Sequence, residues 1–196
     1  MSEFTLIIVE NIPPAALQAI HRVIGLEGGY VHDAADRGGK TNFGISDLRD
    51  GVADGLIDIN LDGLGDIAPE SLTYEQAVSI YYKDYWLANQ CNELPTYIAV
   101  MVFDVAVNQG GKFARKTLQG AAGVNTDGII GGKTLAAVSQ CTELQLLHEY
   151  TQLRVCRYAS IVKRDITQLK FLNGWLNRAF DVLKECQMIW LFGGHA

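Results

Sequence analysis

The segment Leu17-Gln18-Ala19-Ile20-His21-Arg22-Val23-Ile24-Gly25-Leu26-Glu27-Gly28-Gly29-Tyr30 sets a helical period and then stops it. Leu17, Ile20, Ile24 and Glu27 follow one another at spacings of three, four and three, which puts them on one face of a helix. Pro13-Pro14 can open that helix, because proline is tolerated where the backbone N–H would be unpaired. Gly28-Gly29 ends it. The last member of the apolar row is a carboxylate. Partial burial and the negative end of the helix dipole would both disfavour its anion and raise its pKa. A carboxylic acid kept protonated near neutrality can protonate a leaving oxygen, the general-acid step of glycoside hydrolysis. A glutamate that turns out into solvent at a fraying helix end satisfies the same spacing, so periodicity alone leaves both readings open.

Asp36 comes nine positions after Glu27, beside the Gly38-Gly39 turn, and Thr41 follows in Thr41-Asn42-Phe43-Gly44-Ile45-Ser46, a short alternating strand. A hairpin folded over the helix end would bring a second carboxylate and a hydroxyl towards Glu27. There the carboxylate could activate water or stabilise an oxocarbenium ion, and the hydroxyl could orient that water. Aspartate near glycine is equally a common turn former, so this pattern too carries two readings.

Beyond an acidic, glycine-punctuated excursion at 47–70 the chain is helical. Thr73-x-x-Gln76 is a capping box for a helix through about residue 88. Pro95 precedes Tyr97–Gln109, apolar nearly all round except Asp104 and Asn108, as a central buried helix would be. A polar pair four apart on such a helix must bond something. Shorter helices are expected over Lys112–Gln119 and Thr134–Ser139, a long one over Leu144–Lys163, and a last one capped by Asn173 and running to about Trp190. The expected fold is mainly α with a small β-hairpin near residues 37–46. Residues 1–110 and a helical C-terminal region, 111–196, are expected to form one compact unit.

The chain has 196 residues, 48% of them hydrophobic and 19% charged, a globular balance with enough length for a real core. Its 16 basic and 22 acidic residues give a net charge of 16 − 22 = −6, which argues against a nucleic-acid partner. No apolar run approaches the ~20 residues needed to span a bilayer. Met1-Ser2-Glu3-Phe4-Thr5 lacks the basic region of a secretory signal, so synthesis in the cytoplasm without a signal peptide is expected. Cys91, Cys141, Cys156 and Cys186 form no C-x-x-C pair and are expected to be reduced and buried.

Taken together, Glu27-Gly28-Gly29-Tyr30 and Asp36-Arg37-Gly38-Gly39-Lys40-Thr41-Asn42-Phe43-Gly44-Ile45-Ser46 resemble the signature of glycoside hydrolase family 108. These are lysozyme-like N-acetylmuramidases found as phage endolysins and as bacterial proteins once named secretion activators. Ala77…Ile80-Tyr81-Tyr82-Lys83-Asp84-Tyr85-Trp86 and Phe103-Asp104-Val105-Ala106-Val107-Asn108-Gln109-Gly110 are similar to the same family. Leu118-Gln119, Gly123-Val124, Asp127-Gly128, Ile130-Gly131, Lys133-Thr134 and Gly174-Trp175-x-x-Arg178 resemble a peptidoglycan-binding module. The resemblance spans about residues 15–180 and implies a lysozyme-like helical fold with Glu27 as the catalytic acid. A looser likeness to phage lysozymes implies Asp36 and Thr41 as its partners. The Asp36-to-Thr41 spacing is five positions, one shorter than in phage lysozymes, and Asn108-Gln109-Gly110 stands where the family commonly carries Asn-Ser-Gly.

Aromatic rings stack on sugar faces, and amides bond hydroxyl and N-acetyl groups. Tyr30, Phe43, Tyr82 and Tyr85 are candidates for the first role, and Asn42, Asp104, Asn108 and Gln109 for the second. Tyr81, Tyr82, Tyr85 and Trp86 lie at helical spacing, where aromatics are usually core, so at most two of the four should face a groove. The excursion holds Asp58-x-Asn60-x-Asp62-Gly63-x-x-Asp66, the first three-quarters of an EF-hand-type calcium loop with Pro69 at its twelfth position. Calcium there, or a merely solvated acidic loop, fits the pattern. His148-Glu149 lacks a second zinc ligand at Gln152, and no glycine-rich segment has phosphate-cradling spacing.

The expected activity is hydrolysis of the MurNAc-β-1,4-GlcNAc bond of peptidoglycan, with no required cofactor. The enzyme would reach the wall after release, through a holin-type partner or another export route. The rival readings are a lytic transglycosylase, which leaves a 1,6-anhydro product, and a non-catalytic wall-binding or secretion-assisting protein. Oligomeric state and stereochemical outcome are not written in the sequence.

Overall fold

The computed structural model describes residues 11–27, 40–52 and 54–192. These residues hold seven α-helices and one two-stranded antiparallel sheet. Packing divides the chain between Asp84 and Tyr85, within a π-helical turn at Tyr82–Trp86.

In the first unit, α1 (Pro14–Glu27) buries Ala16, Ala19, Ile20, Val23 and Ile24. Leu17 is only half-buried, so the inward face is turned slightly from the row read off the sequence: the small alanines, not Leu17, meet the core. Glu27 is the last helical residue and continues the row of Ile20, Val23 and Ile24 by position. The single strand expected over Thr41–Ser46 is a hairpin, β1 (Thr41–Asn42) paired with β2 (Ile45–Ser46), with Thr41 opposite Ser46. The chain reverses at Phe43 and Gly44, whose φ angles are 52° and 75°. Two consecutive positive φ angles match the right-handed twist of the flanking strands. The acidic excursion is closed at its base by reciprocal backbone bonds between Ile57 and Ile67. Arg49 holds it from the side, donating to the Asp58 carbonyl and to the Asp84 carboxylate.

A 3₁₀ turn (Pro69–Ser71) leads into α2 (Tyr74–Tyr81), which carries the expected capping box: Thr73 Oγ1 accepts from Gln76 N at 3.2 Å, and Gln76 Oε1 accepts from Thr73 N at 2.8 Å. The α-helix ends at Tyr81, seven residues before the expected end, and continues as the π turn and a 3₁₀ turn at Leu87–Asn89. The side-chain amide of Asn89 takes the Tyr85 carbonyl at 2.7 Å. A continuing α-helix would offer that acceptor to the Asn89 N–H instead.

The second unit is built on α3 (Thr96–Gln109), in which every residue from Ile98 to Ala106 is buried. Helices α4 (Gly111–Ala121), α6 (Glu143–Arg164) and α7 (Leu169–Phe192) pack around it, and α5 (Gly132–Gln140) follows α4. The corner between α3 and α4 is two glycines long. Gly110 has φ +91°, open to glycine, and a Cβ on Gly111 would lie 2.6 Å from Asn89 Oδ1. That oxygen cannot easily retreat, since it accepts from Arg115 Nη1 at 2.7 Å. Helix α7 begins at Leu169, before the expected Asn173 cap; Asp165 accepts from the Thr167 N–H and caps the 3₁₀ turn Ile166–Gln168 that precedes it. All four cysteines are free thiols. Cys91 and Cys186 are buried as expected, but Cys141 is half-buried and Cys156 exposed. Cys156 falls on the opposite side of α6 from its inward row of Leu147, Tyr150, Arg154 and Tyr158.

Candidate active site

Tyr74 joins α1 to the hairpin in the first unit. Its ring lies 5.7 Å from that of His21 on α1 and meets Phe43 edge-on at 5.8 Å. Burial, reinforced by Glu75, pushes the Tyr74 hydroxyl above its ordinary pKa. The Tyr81 hydroxyl donates to the Phe43 carbonyl at 2.9 Å, and buried Asn42 donates from Nδ2 to the Pro69 carbonyl at 2.9 Å. The hairpin is thus tied at its turn to α2 and at its first strand to the turn before α2. Thr41 is half-buried beside Asn42 on β1. Asp36 and Tyr30 lie outside the described residues, and of Glu27 only the backbone position is described. Tyr82 is buried, with Tyr81 and Trp86, while Tyr85 in the second unit is half-buried. His21 and Tyr74 carry no motif; their only sequence signal is an aromatic or imidazole ring on a helix flanking the glycine-rich segment.

Within the acidic loop, Asp58 is fully enclosed and accepts from the N–H groups of Asn60, Leu61 and Gly63 at 3.1, 2.6 and 2.8 Å. Asn60 and Asp62 each accept from the N–H two residues on, and Asp66 accepts from Ile59 N at 2.8 Å. Burial works against the Asp58 anion, but the ring of N–H donors outweighs it and holds the pKa below the usual carboxylate range. The calcium-loop oxygens therefore fold the loop around themselves. Among the described residues no group of three or more His, Cys, Asp or Glu side chains is gathered as a metal would require.

In the second unit the polar pair on α3 enters one connected network. Asp104, fully buried, accepts from Arg154 Nη2 on α6 at 2.7 Å and from Arg178 Nε on α7 at 3.1 Å. Burial works against the Arg154 charge, but Asp104 beside it prevails and raises its pKa. Arg154 Nε donates to the Tyr158 hydroxyl at 2.9 Å, which donates to Asn108 Oδ1 at 2.8 Å. Trp175 stacks on Tyr158 with centroids 5.2 Å apart. Gln109 follows at the end of α3, with both polar atoms of its amide shielded from solvent and without a hydrogen-bond partner among the described residues. Sequence reading found Asp104 and Asn108 but not Tyr158 or Arg154, whose only signal is their spacing of four on α6.

A cavity of about 430 Å³ lies between α4 and the start of α5, bordered by Gln119, Asn125, Asp127, Ile129 and Lys133. Its wall is rigid. Buried Gln119 donates to Asp127 Oδ1 at 2.7 Å and to the Ile129 carbonyl at 3.0 Å, and accepts from Gly128 N at 2.7 Å. The Gln119 bond first, and then the Ile129 N–H that donates to Asp127 Oδ1 at 2.8 Å, hold the Asp127 carboxyl below its ordinary pKa.

A helical body with a helix-end glutamate, an anchored hairpin and an appended helical region is the arrangement of a lysozyme-like protein. Residues 20–110 match the family model described as Glycosyl hydrolase 108, and residues 113–180 match the one described as Predicted Peptidoglycan domain. Among solved structures the chain is similar to Brucella abortus SagA, at 30% identity over 88% of this chain and 93% of that chain, with a TM-score of 0.70. A search of curated proteins finds no match. The chain belongs to the glycosyl hydrolase 108 family. The two regions together support a lysozyme-like protein that acts on peptidoglycan.

Proposed function

We propose that this protein is an N-acetylmuramidase that hydrolyses MurNAc-β-1,4-GlcNAc bonds, with Glu27 protonating the glycosidic oxygen. The observation that carries the reading is the position of Glu27, which ends α1 as the next member of the row Ile20, Val23, Ile24, inside the segment that matches Glycosyl hydrolase 108. A helix C-terminus disfavours an anion, so the position suits an acid that must hold its proton near neutrality. Asp36 serves as the second carboxylate, assisting water or the cationic transition state, and Thr41 orients the water. Residues 113–180 hold the wall. Access to the wall follows synthesis in the cytoplasm and uses a holin-type partner or another release route.

The test is wall lysis by Glu27→Gln. This near-isosteric change is expected to leave the far-ultraviolet spectrum and melting midpoint unchanged and to lower the lytic rate by about 10²–10⁴-fold. Retained lysis overturns the assignment. Mass spectrometry of the released muropeptides is expected to show reducing MurNAc ends; 1,6-anhydro ends would make the protein a transglycosylase. Sedimentation with sacculi without soluble fragments would reduce it to a wall-binding protein. Catalysis in this reading needs no metal. Calcium at 58–66 would act on the loop's stability, and a melting midpoint that rises in millimolar calcium over chelator tests it.

A further inference from the structure

We propose that Tyr158 is a positioning residue that fixes Asn108 as a hydrogen-bond donor to the acetamido carbonyl of the glycan, an inference that rests on the glycan-cleaving reading above. The argument follows from the direction of each hydrogen bond. The guanidinium nitrogen Arg154 Nε carries a hydrogen and has no lone pair to offer, so at 2.9 Å the Tyr158 oxygen must accept from it. The hydroxyl has one proton left to place, and the neighbour at 2.8 Å is Asn108. That proton needs an acceptor, so Asn108 turns its oxygen inward. Its Nδ2, with two N–H bonds, is thereby committed outward.

Nothing upstream of Asn108 is free to rotate. Arg154 is clamped by Asp104 at 2.7 Å and is itself 1% exposed. The Tyr158 ring is held by its stack on Trp175 at 5.2 Å. A buried ion pair thus dictates the orientation of a half-buried amide one helical turn along α3 from Asp104. The end of α3 therefore offers two outward N–H bonds from Asn108 and no outward oxygen from it. A complementary ligand brings a strong neutral acceptor, as an amide carbonyl is. On a glycan strand that group is the acetamido substituent; the peptide bonds of a wall stem share its chemistry.

Asn108→Asp separates the donor from the scaffold, because a carboxylate oxygen still accepts from Tyr158 while both outward N–H bonds are lost. Tyr158→Phe keeps the ring and its stack and removes the hydroxyl, which frees the amide to flip. Binding of peptide-free glycan strands is measured on a Glu27→Gln background, so that it does not depend on turnover, and KM and kcat are measured with Glu27 in place. The expected result is a Kd and KM raised about tenfold by Asn108→Asp and about fivefold by Tyr158→Phe, with kcat little changed. The double variant should be no weaker than Asn108→Asp alone. De-N-acetylated strands should bind the Glu27→Gln background less well than acetylated ones, and should bind Asn108→Asp no less well, since its carboxylate attracts the exposed ammonium group.

A purely structural Tyr158 would lower the melting midpoint without moving Kd or KM, and that result overturns the proposal. So does additivity in the double variant, or an Asn108→Asp protein that still discriminates against de-N-acetylated strands. An effect seen on sacculi but not on peptide-free strands would transfer the acceptor to the stem peptide and overturn the acetamido assignment. Strand binding that behaves as expected in a protein that cleaves no wall would overturn the hydrolase reading and leave this one standing.

Discussion

The carboxylate of Asp104, fully enclosed on α3, lies 2.7 Å from Nη2 of Arg154 on α6, with both side chains withdrawn from water. Removing one charge of such a pair leaves the other buried and uncompensated, which costs more than the pair itself contributes. Asp104→Asn is therefore expected to destabilise the fold by about 3–5 kcal/mol, read as a shift of the urea midpoint with the slope unchanged. Arg178→Met removes a side chain with more solvent around it and should cost clearly less. A loss under about 1 kcal/mol for Asp104→Asn would mean that water reaches the pair.

Phe43 turns the hairpin at φ 52°, a region unfavourable to a bulky side chain. Asparagine suits the first position of such a turn before glycine. Phe43→Asn relieves about 1 kcal/mol of backbone strain and forfeits a similar amount in the edge-on contact with Tyr74. Thermal unfolding is accordingly expected to stay within about 1 kcal/mol of the parent. Wall lysis should fall several-fold if the ring also meets sugar. Full activity in the variant would confine Phe43 to its role in the turn.

Asp58 holds its loop through the anion. Its folded-state pKa is depressed below the unfolded value of about 3.9. It therefore contributes stability that is complete above about pH 4 and is lost as pH falls through the folded value. Amide protection at Leu61 and Gly63, whose N–H groups it binds, should collapse on that acid limb before the helices of the second unit open. In Asp58→Asn the same amides should be poorly protected already at neutral pH. Protection that stays flat from about pH 6 to 3 would count against the anion as the organiser.

Elements whose cause is local were legible in the sequence. The period of α1, the Thr73–Gln76 capping box and the apolar wrap of α3 each leave a mark within one or two turns. The small hairpin was legible but the place of its reversal was not, because Phe-Gly is no turn signature; the strain at Phe43 is balanced by Tyr81, 38 residues away. The irregular continuation of α2 was hidden too, since the Asn89 side chain takes the Tyr85 carbonyl from the backbone where the run closes. At the candidate site, a carboxylate ending an apolar row and a polar pair on an apolar helix marked Glu27, Asp104 and Asn108. Their partners could not be read: Arg154 and Arg178 lie 50 and 74 residues beyond Asp104, and charge alone does not name a mate at that distance.

The two-glycine corner between α3 and α4 is a weld within the second unit. A Cβ on Gly111 would lie 2.6 Å from Asn89 Oδ1, and that oxygen is gripped by Arg115 one turn into α4. A side chain at position 111 would have to prise α4 away from α3. The region that matches the peptidoglycan domain, residues 113–180, is therefore fixed in direction to the helix that carries Asn108.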